Sequence, residues 1–161
     1  MKKIIALCLT LAVIFSLCAC GSSSGGSFAN LEKEDLSEFH EKVSESQTLL
    51  DDVADDIYTN WYDAIYNDKF SEDINIAIAS ARVDHEDDLE RIEELDSEIS
   101  DLFKKVKDGT QADLVKDVMS AYSDYYEFVV NVSGSFNSYS AEKETLKKEL
   151  ASLLRDLSYE L

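Results

Sequence analysis

The chain has 161 residues, with 34 acidic against 15 basic side chains and a formal net charge of −19 at pH 7. Such an excess of acid argues against nucleic acid and against an electrostatic contact with anionic lipid, both of which need clustered cations. There is no proline and there are only five glycines. A β-rich fold needs more turn residues than that, so the composition predicts one nearly all-helical domain.

The chain opens with Lys2 and Lys3, and Ile4 to Leu17 is apolar apart from Cys8, Thr10 and Ser16. A basic start, an apolar run of roughly 7–15 residues and a small-residue end make a secretory signal. A spanning helix would need about 20 apolar residues. Next come Leu17-Cys18-Ala19-Cys20 and the tract Gly21-Ser22-Ser23-Ser24-Gly25-Gly26-Ser27. A Leu three residues before a Cys, a small Ala directly before it and a Gly/Ser tract after it resemble a bacterial lipoprotein precursor. Cys18 stands where that family more often has Ala, Ser or Thr.

The resemblance implies cleavage between Ala19 and Cys20 and diacylglycerol on the Cys20 sulfur. Two acyl chains hold a protein stably where one holds it marginally. It places the chain on the outer face of a bacterial cell membrane, with no free thiol left, because Cys8 and Cys18 leave and Cys20 carries lipid. Disulfides, thiolate metal sites and cysteine nucleophiles are then excluded. The expected organisation is a signal at 1–19, a lipidated Cys and flexible tether at 20–27, and a helical body at 28–161.

Helix one is expected from about Leu31 to about Asn67, with Asn30 as N-cap and Glu32 and Glu34 in the first turn. Leu36, Phe39, Val43, Ser46, Leu50, Val53, Ile57, Asn60 and Ala64 alternate steps of three and four, the period of a coiled coil or bundle. Asn67-Asp68-Lys69 breaks the pattern. Ser71 reads as the cap of helix two, which runs to about Lys107 on Ile78, Ala81, His85, Ile92, Leu95, Ile99, Leu102 and Val106. Asp108-Gly109-Thr110 supplies a stop and a new cap.

Helix three begins near Gln111. Leu114, Val118, Ala121, Tyr125, Phe128, Val132, Ser135, Tyr139, Leu146, Leu153 and Leu157 keep one register, with Glu142 and Glu149 in two slots. Ser133-Gly134-Ser135-Phe136-Asn137-Ser138 is poor in helix formers. The unshifted phase nevertheless predicts a continuous helix; the alternative is a fourth helix capped by Ser140. Three long helices make an all-α, antiparallel up-down-up bundle with coiled-coil-like packing. In it Trp61, Tyr62 and Tyr66 face Ala77, Ala79, Ser80 and Ala81; Tyr139 reaches the same level, and Gly134 lies near His85. Helix three then outruns its partners and leaves Leu150, Leu153, Leu154, Leu157 and Leu161 uncovered, to dimerise, dock a partner or fold back if the helix breaks.

The chemistry is sparse. His85 with Asp84, Glu86, Asp87 and Asp88 is the densest set of metal-capable groups, but His-Glu-x-x-His and calcium-loop spacings are absent, so no metal is expected and His85 reads as a packing residue. Asp51, Asp52, Asp55 and Asp56 read as a solvated helix face without the pocket that acid–base work needs. His40 and His85 are the only histidines, which leaves no triad, no enzyme and no cofactor expected. Trp61-Tyr62 with Tyr58, Tyr66 and Phe70 resembles Trp-Tyr segments of uncharacterised helical lipoproteins of Gram-positive bacteria, a family with no activity to carry over. Tyr62, Tyr66 and Tyr139 are the candidate lining of a ligand groove, since tyrosines suit recognition surfaces. Leu153 and Leu157 are the candidate partner surface. The expectation is a non-enzymatic protein-interaction or scaffold module at the cell envelope, held to the membrane through Cys20 and binding a protein partner or a second copy. A small-ligand or cation-binding lipoprotein serving a transporter or sensor is the alternative.

Overall fold

The structure, a computed structural model, describes residues 25–161, with side chains from Glu32 onward. The signal, Cys20 and the tract up to Ser24 lie outside the described residues. The elements are α1 (Gly25–Tyr66), a 3₁₀ turn (Phe70–Glu72), α2 (Ile74–Asp84), α3 (Glu86–Val106), α4 (Ala112–Val130) and α5 (Phe136–Ser158). All are helical. The backbone of Gly25, Gly26 and Ser27 already belongs to α1, so the expected coil does not extend to Ser27.

Cross-helix contacts define the topology. Asp35 with Lys105, Lys42 with Glu98 and Glu45 with Arg91 run α3 antiparallel to α1. Lys33 with the Leu161 carbonyl, His40 with the Leu154 carbonyl and Asp55 with Lys143 run α5 antiparallel to α1 as well. Ser46 with Tyr122 and Asp51 with Tyr125 make α4 parallel to it. The result is a four-legged up-down-up-down bundle with α2 and α3 as one jogged leg, and this replaces the expected three-helix bundle.

Two breaks make the difference. At His85 the backbone leaves helical geometry (ψ 29°), while the bonds from His85 N–H to the Ala81 carbonyl and from Leu89 N–H to the His85 carbonyl persist. The like-charged pair Asp84 and Asp88 stands one turn apart across this point and weakens the helix. The second break ends α4 at Val130. Ser135 caps α5 through a capping box with Ser138, and Gly134 takes φ +89°. A Cβ on Gly134 would meet Ser138 Oγ at 2.8 Å, so the glycine serves the left-handed turn and the cap. Beyond Tyr139 the buried stripe departs from the expected register by one position, because α5 is a separate helix that buries its own stripe. The inward residues of α5 are Tyr139, Lys143, Leu150, Leu154 and Leu157, while Glu142 and Glu149 face water.

The fold-back covers the expected leucine overhang. Leu150, Leu154 and Leu157 are core residues and Leu153 packs against them; only Leu161 of the set is exposed. Two caps also move. Asp73, not Ser71, caps α2 by accepting from Asn75 N–H at 2.8 Å. Thr110 does not cap α4; its N–H and Oγ1 donate to Glu32 Oε1 at 2.6 and 2.9 Å, which holds the Glu32 carboxyl below its usual range. That contact requires Gly109, whose Cβ would stand 2.4 Å from Glu32 Oε1.

Candidate functional site

One end of the bundle is built from aromatic side chains. Tyr58, Trp61, Tyr62 and Tyr66 follow helical spacing, so the last turns of α1 carry four rings on one face of the helix. Phe136, the first residue of α5, seats among them. Its ring stacks on Tyr58 with centroids 5.1 Å apart and lies 6.0 Å from Trp61, 6.1 Å from Tyr62 and 6.2 Å from Tyr66. The outer rings stay wet: Tyr62 is 41% and Tyr66 58% exposed, and Tyr66 lies 4.7 Å from Tyr62. Ile65, Ile74 and Ile76 are exposed at the same end, which makes five large apolar or aromatic side chains exposed there.

Trp61 is only 4% exposed and packs on Tyr139 at 5.5 Å; among the described residues its indole N–H has no hydrogen-bond acceptor. Tyr139 is fully buried, stacks on Phe128 at 4.6 Å and donates to the Ala54 carbonyl. Tyr62 and Tyr66 therefore share a surface, and Tyr139 does not. The small residues expected opposite Trp61 divide: Ala77 and Ala81 are buried, whereas Ala79 is exposed.

The loop after α1 carries four non-glycine residues at positive φ, Asp68 (54°), Phe70 (53°), Ser71 (54°) and Glu72 (60°). Each costs on the order of 1 kcal/mol. Asp63 holds the loop by accepting from Asn67 Nδ2 and Lys69 Nζ, both at 2.5 Å, and these bonds keep its carboxyl below the usual range.

Two polar constellations lie along the sides. His85 is half-buried with Nδ1 2.7 Å from Asp88 Oδ2 and Nε2 2.9 Å from Asp56 Oδ2. A neutral imidazole donates from one nitrogen only, so this geometry suits the imidazolium. Burial pulls the His85 pKa down, but the hydrogen bonds to Asp88 and Asp56 outweigh it and leave the value raised. His85 is thus a clamp at the jog rather than a packing residue. On the α5 side, Lys143 is a buried cation that donates to Asp55 and lies 4.6 Å above the Tyr58 ring. Lys147 meets Asp51 at 3.1 Å, and Tyr125 OH donates to Asp51 at 2.6 Å. Burial pushes the Tyr125 hydroxyl up, and that bond adds to the rise. Asp51, Asp55 and Asp56 are therefore pairing groups, and only Asp52 of that run reads as plain solvated surface.

Neither Phe136 nor Lys143 stands out in the sequence. Phe136 sits in a stretch of poor helix formers, and Lys143 neighbours the slot that the register assigns to Glu142. The signal for Phe136 was its place three residues before Tyr139. No family model matches the chain, and none of the curated proteins or solved structures compared with it does either.

Proposed function

We propose that this chain is a lipid-anchored, non-enzymatic helical spacer on the outer face of a bacterial cell membrane, and that it presents a protein-docking tip. The observation that carries the reading is the joint exposure of Tyr62, Ile65, Tyr66, Ile74 and Ile76 at the end of the bundle opposite the start of α1. Exposed apolar clusters rimmed by polar groups mark interaction sites, and tyrosine is a favoured anchor in them. The 42 residues of α1 span about 63 Å at 1.5 Å per residue, so an anchor on Cys20 would leave the tip far from the lipid surface. The strained loop beside the tip supports the same assignment, because strain concentrates where a surface is used. The ligand-groove alternative loses its geometry with Tyr139 in the core.

The test has two arms. Cys20→Ala is expected to abolish metabolic labelling with palmitate and to move the protein out of the membrane fraction. A photo-crosslinking amino acid at Tyr66 is expected to trap one discrete partner in the native host, and Tyr62→Ser is expected to remove that band without changing the melting temperature. Unchanged labelling in Cys20→Ala, or the same bands from a crosslinker placed at exposed Tyr159, would overturn the respective half.

A further inference from the structure

The seams that α1 forms with α3 and α5 are laced by charge: Lys42 with Glu98 at 2.8 Å and Arg91 with Glu45 at 2.9 Å on one, Lys147 with Asp51 at 3.1 Å on the other. The seam between α4 and α5 is held differently. Among the described residues its one hydrogen bond lies at the far end, where Gln111 at the N-cap of α4 donates to Glu160 just past α5 at 2.8 Å; between the helices themselves no ion pair or hydrogen bond crosses, and Phe128 stacked on Tyr139 joins them. On its outer side the seam opens into a groove of about 570 Å³. Half-buried Phe128 and Leu146 form the floor, Asp124, Glu127 and Glu142 the rim, and Asn131 and Ser133 close one end. Asn131 Nδ2 donates to Glu127 Oε1 at 2.8 Å, and among the described residues no basic side chain pairs with any of the three carboxylates.

Three carboxylates without a basic partner line the groove in a chain already at −19, while Lys143 and Lys147, on the same helix as Glu142, are committed to α1. That charge favours a cationic occupant. The groove does not suit a bare metal ion: among the described residues no group of three or more His, Cys, Asp or Glu side chains lies close enough to hold one. The volume falls in the range of organic-ligand and side-chain sites, and a metal ion would leave Phe128 and Leu146 unused.

We propose that the α4–α5 groove docks a basic amphipathic segment of a partner protein. Its lysine or arginine heads sit on Asp124, Glu127 and Glu142, and an aliphatic side chain covers Phe128 and Leu146. Charge complementarity selects the sign of the occupant, and the apolar floor selects a peptide over a simple polycation. This site is separate from the aromatic tip and stands or falls without it.

The test titrates the full chain with a fluorescently labelled synthetic peptide of lysines and leucines in amphipathic helical order. Three companion probes are the same peptide with serine for leucine, spermidine, and calcium. One variant combines Asp124→Asn, Glu127→Gln and Glu142→Gln. A second removes the same charge elsewhere, with Glu34→Gln, Glu38→Gln and Glu41→Gln on exposed positions of α1. The groove variant is expected to weaken the parent peptide about tenfold or more, and the control less than about twofold. The groove variant should also melt at or above the parent temperature, which separates lost binding from lost fold. Equal weakening by both variants overturns the proposal, as does binding of the serine peptide, spermidine or calcium as tight as that of the parent peptide.

Discussion

Phe136 stacks on Tyr58 at 5.1 Å, so the first residue of the last helix is held by a ring eight residues from the end of the first one. This contact sets where α5 begins. Phe136→Ala is expected to cost about 2 kcal/mol, below the value for a fully buried ring because Phe136 is half-buried. Urea unfolding measures the loss, and near-ultraviolet dichroism of Trp61, the single tryptophan, should weaken with it.

Lys143 and Asp55 give an asymmetric pair. The Lys143 side chain is buried while that of Asp55 is about half exposed. Removing Asp55 leaves a buried ammonium short of its partner; removing the ammonium leaves a carboxylate that water can solvate. Asp55→Ala is therefore expected to cost about 2 kcal/mol, and Lys143→Met, which keeps the packing volume, less than about 1 kcal/mol. Chemical denaturation of the two variants checks the order, and a larger loss for Lys143→Met would contradict the asymmetry.

His85 makes stability depend on pH. Its folded pKa is raised, so its contribution is complete below the unfolded value of about 6.5 and fades as pH climbs through the folded value. The melting temperature of the parent is expected to fall as pH rises above about 6.5. His85→Gln should flatten that slope, since the glutamine cannot become cationic. The same slope in parent and variant would assign the effect to another group.

Leu157 is fully buried. Leu157→Ala is expected to cost about 3 kcal/mol, in the range of buried leucine truncations. Light scattering should show the same oligomeric state for the variant's folded fraction as for the parent. A folded, equally stable variant with a smaller assembly would instead make Leu157 an interface residue.

The sequence alone determined the helical class, the inward faces of α1 and α3 and the turn at Asp108-Gly109-Thr110. The faces follow from a local rule, that a stripe with helical period has to be buried; at the turn, α3 stops at Val106 with Lys107 as its C-cap, and Gly109 makes room for Glu32 rather than taking a left-handed cap. Leu36, Phe39, Val43, Leu50, Val53 and Ile57 lie in the core as their spacing predicts, and so do Ile92, Leu95, Ile99, Leu102 and Val106. What only the tertiary structure decided is how many legs the bundle has and which polar groups meet. The phase drawn through 114–157 joined two separate helices and assigned Glu142 and Glu149 to slots where α5 buries Lys143 and Leu150, so it hid the break at Asn131–Ser135. Folding α5 back along α1 buried Leu154 and Leu157, carried Tyr139 into the core and left Tyr62 and Tyr66 outside. It also brought Lys143 to Asp55, 88 residues apart in the chain. Pairs of that separation are set by packing between legs, for which no local spacing in the sequence carries a signal.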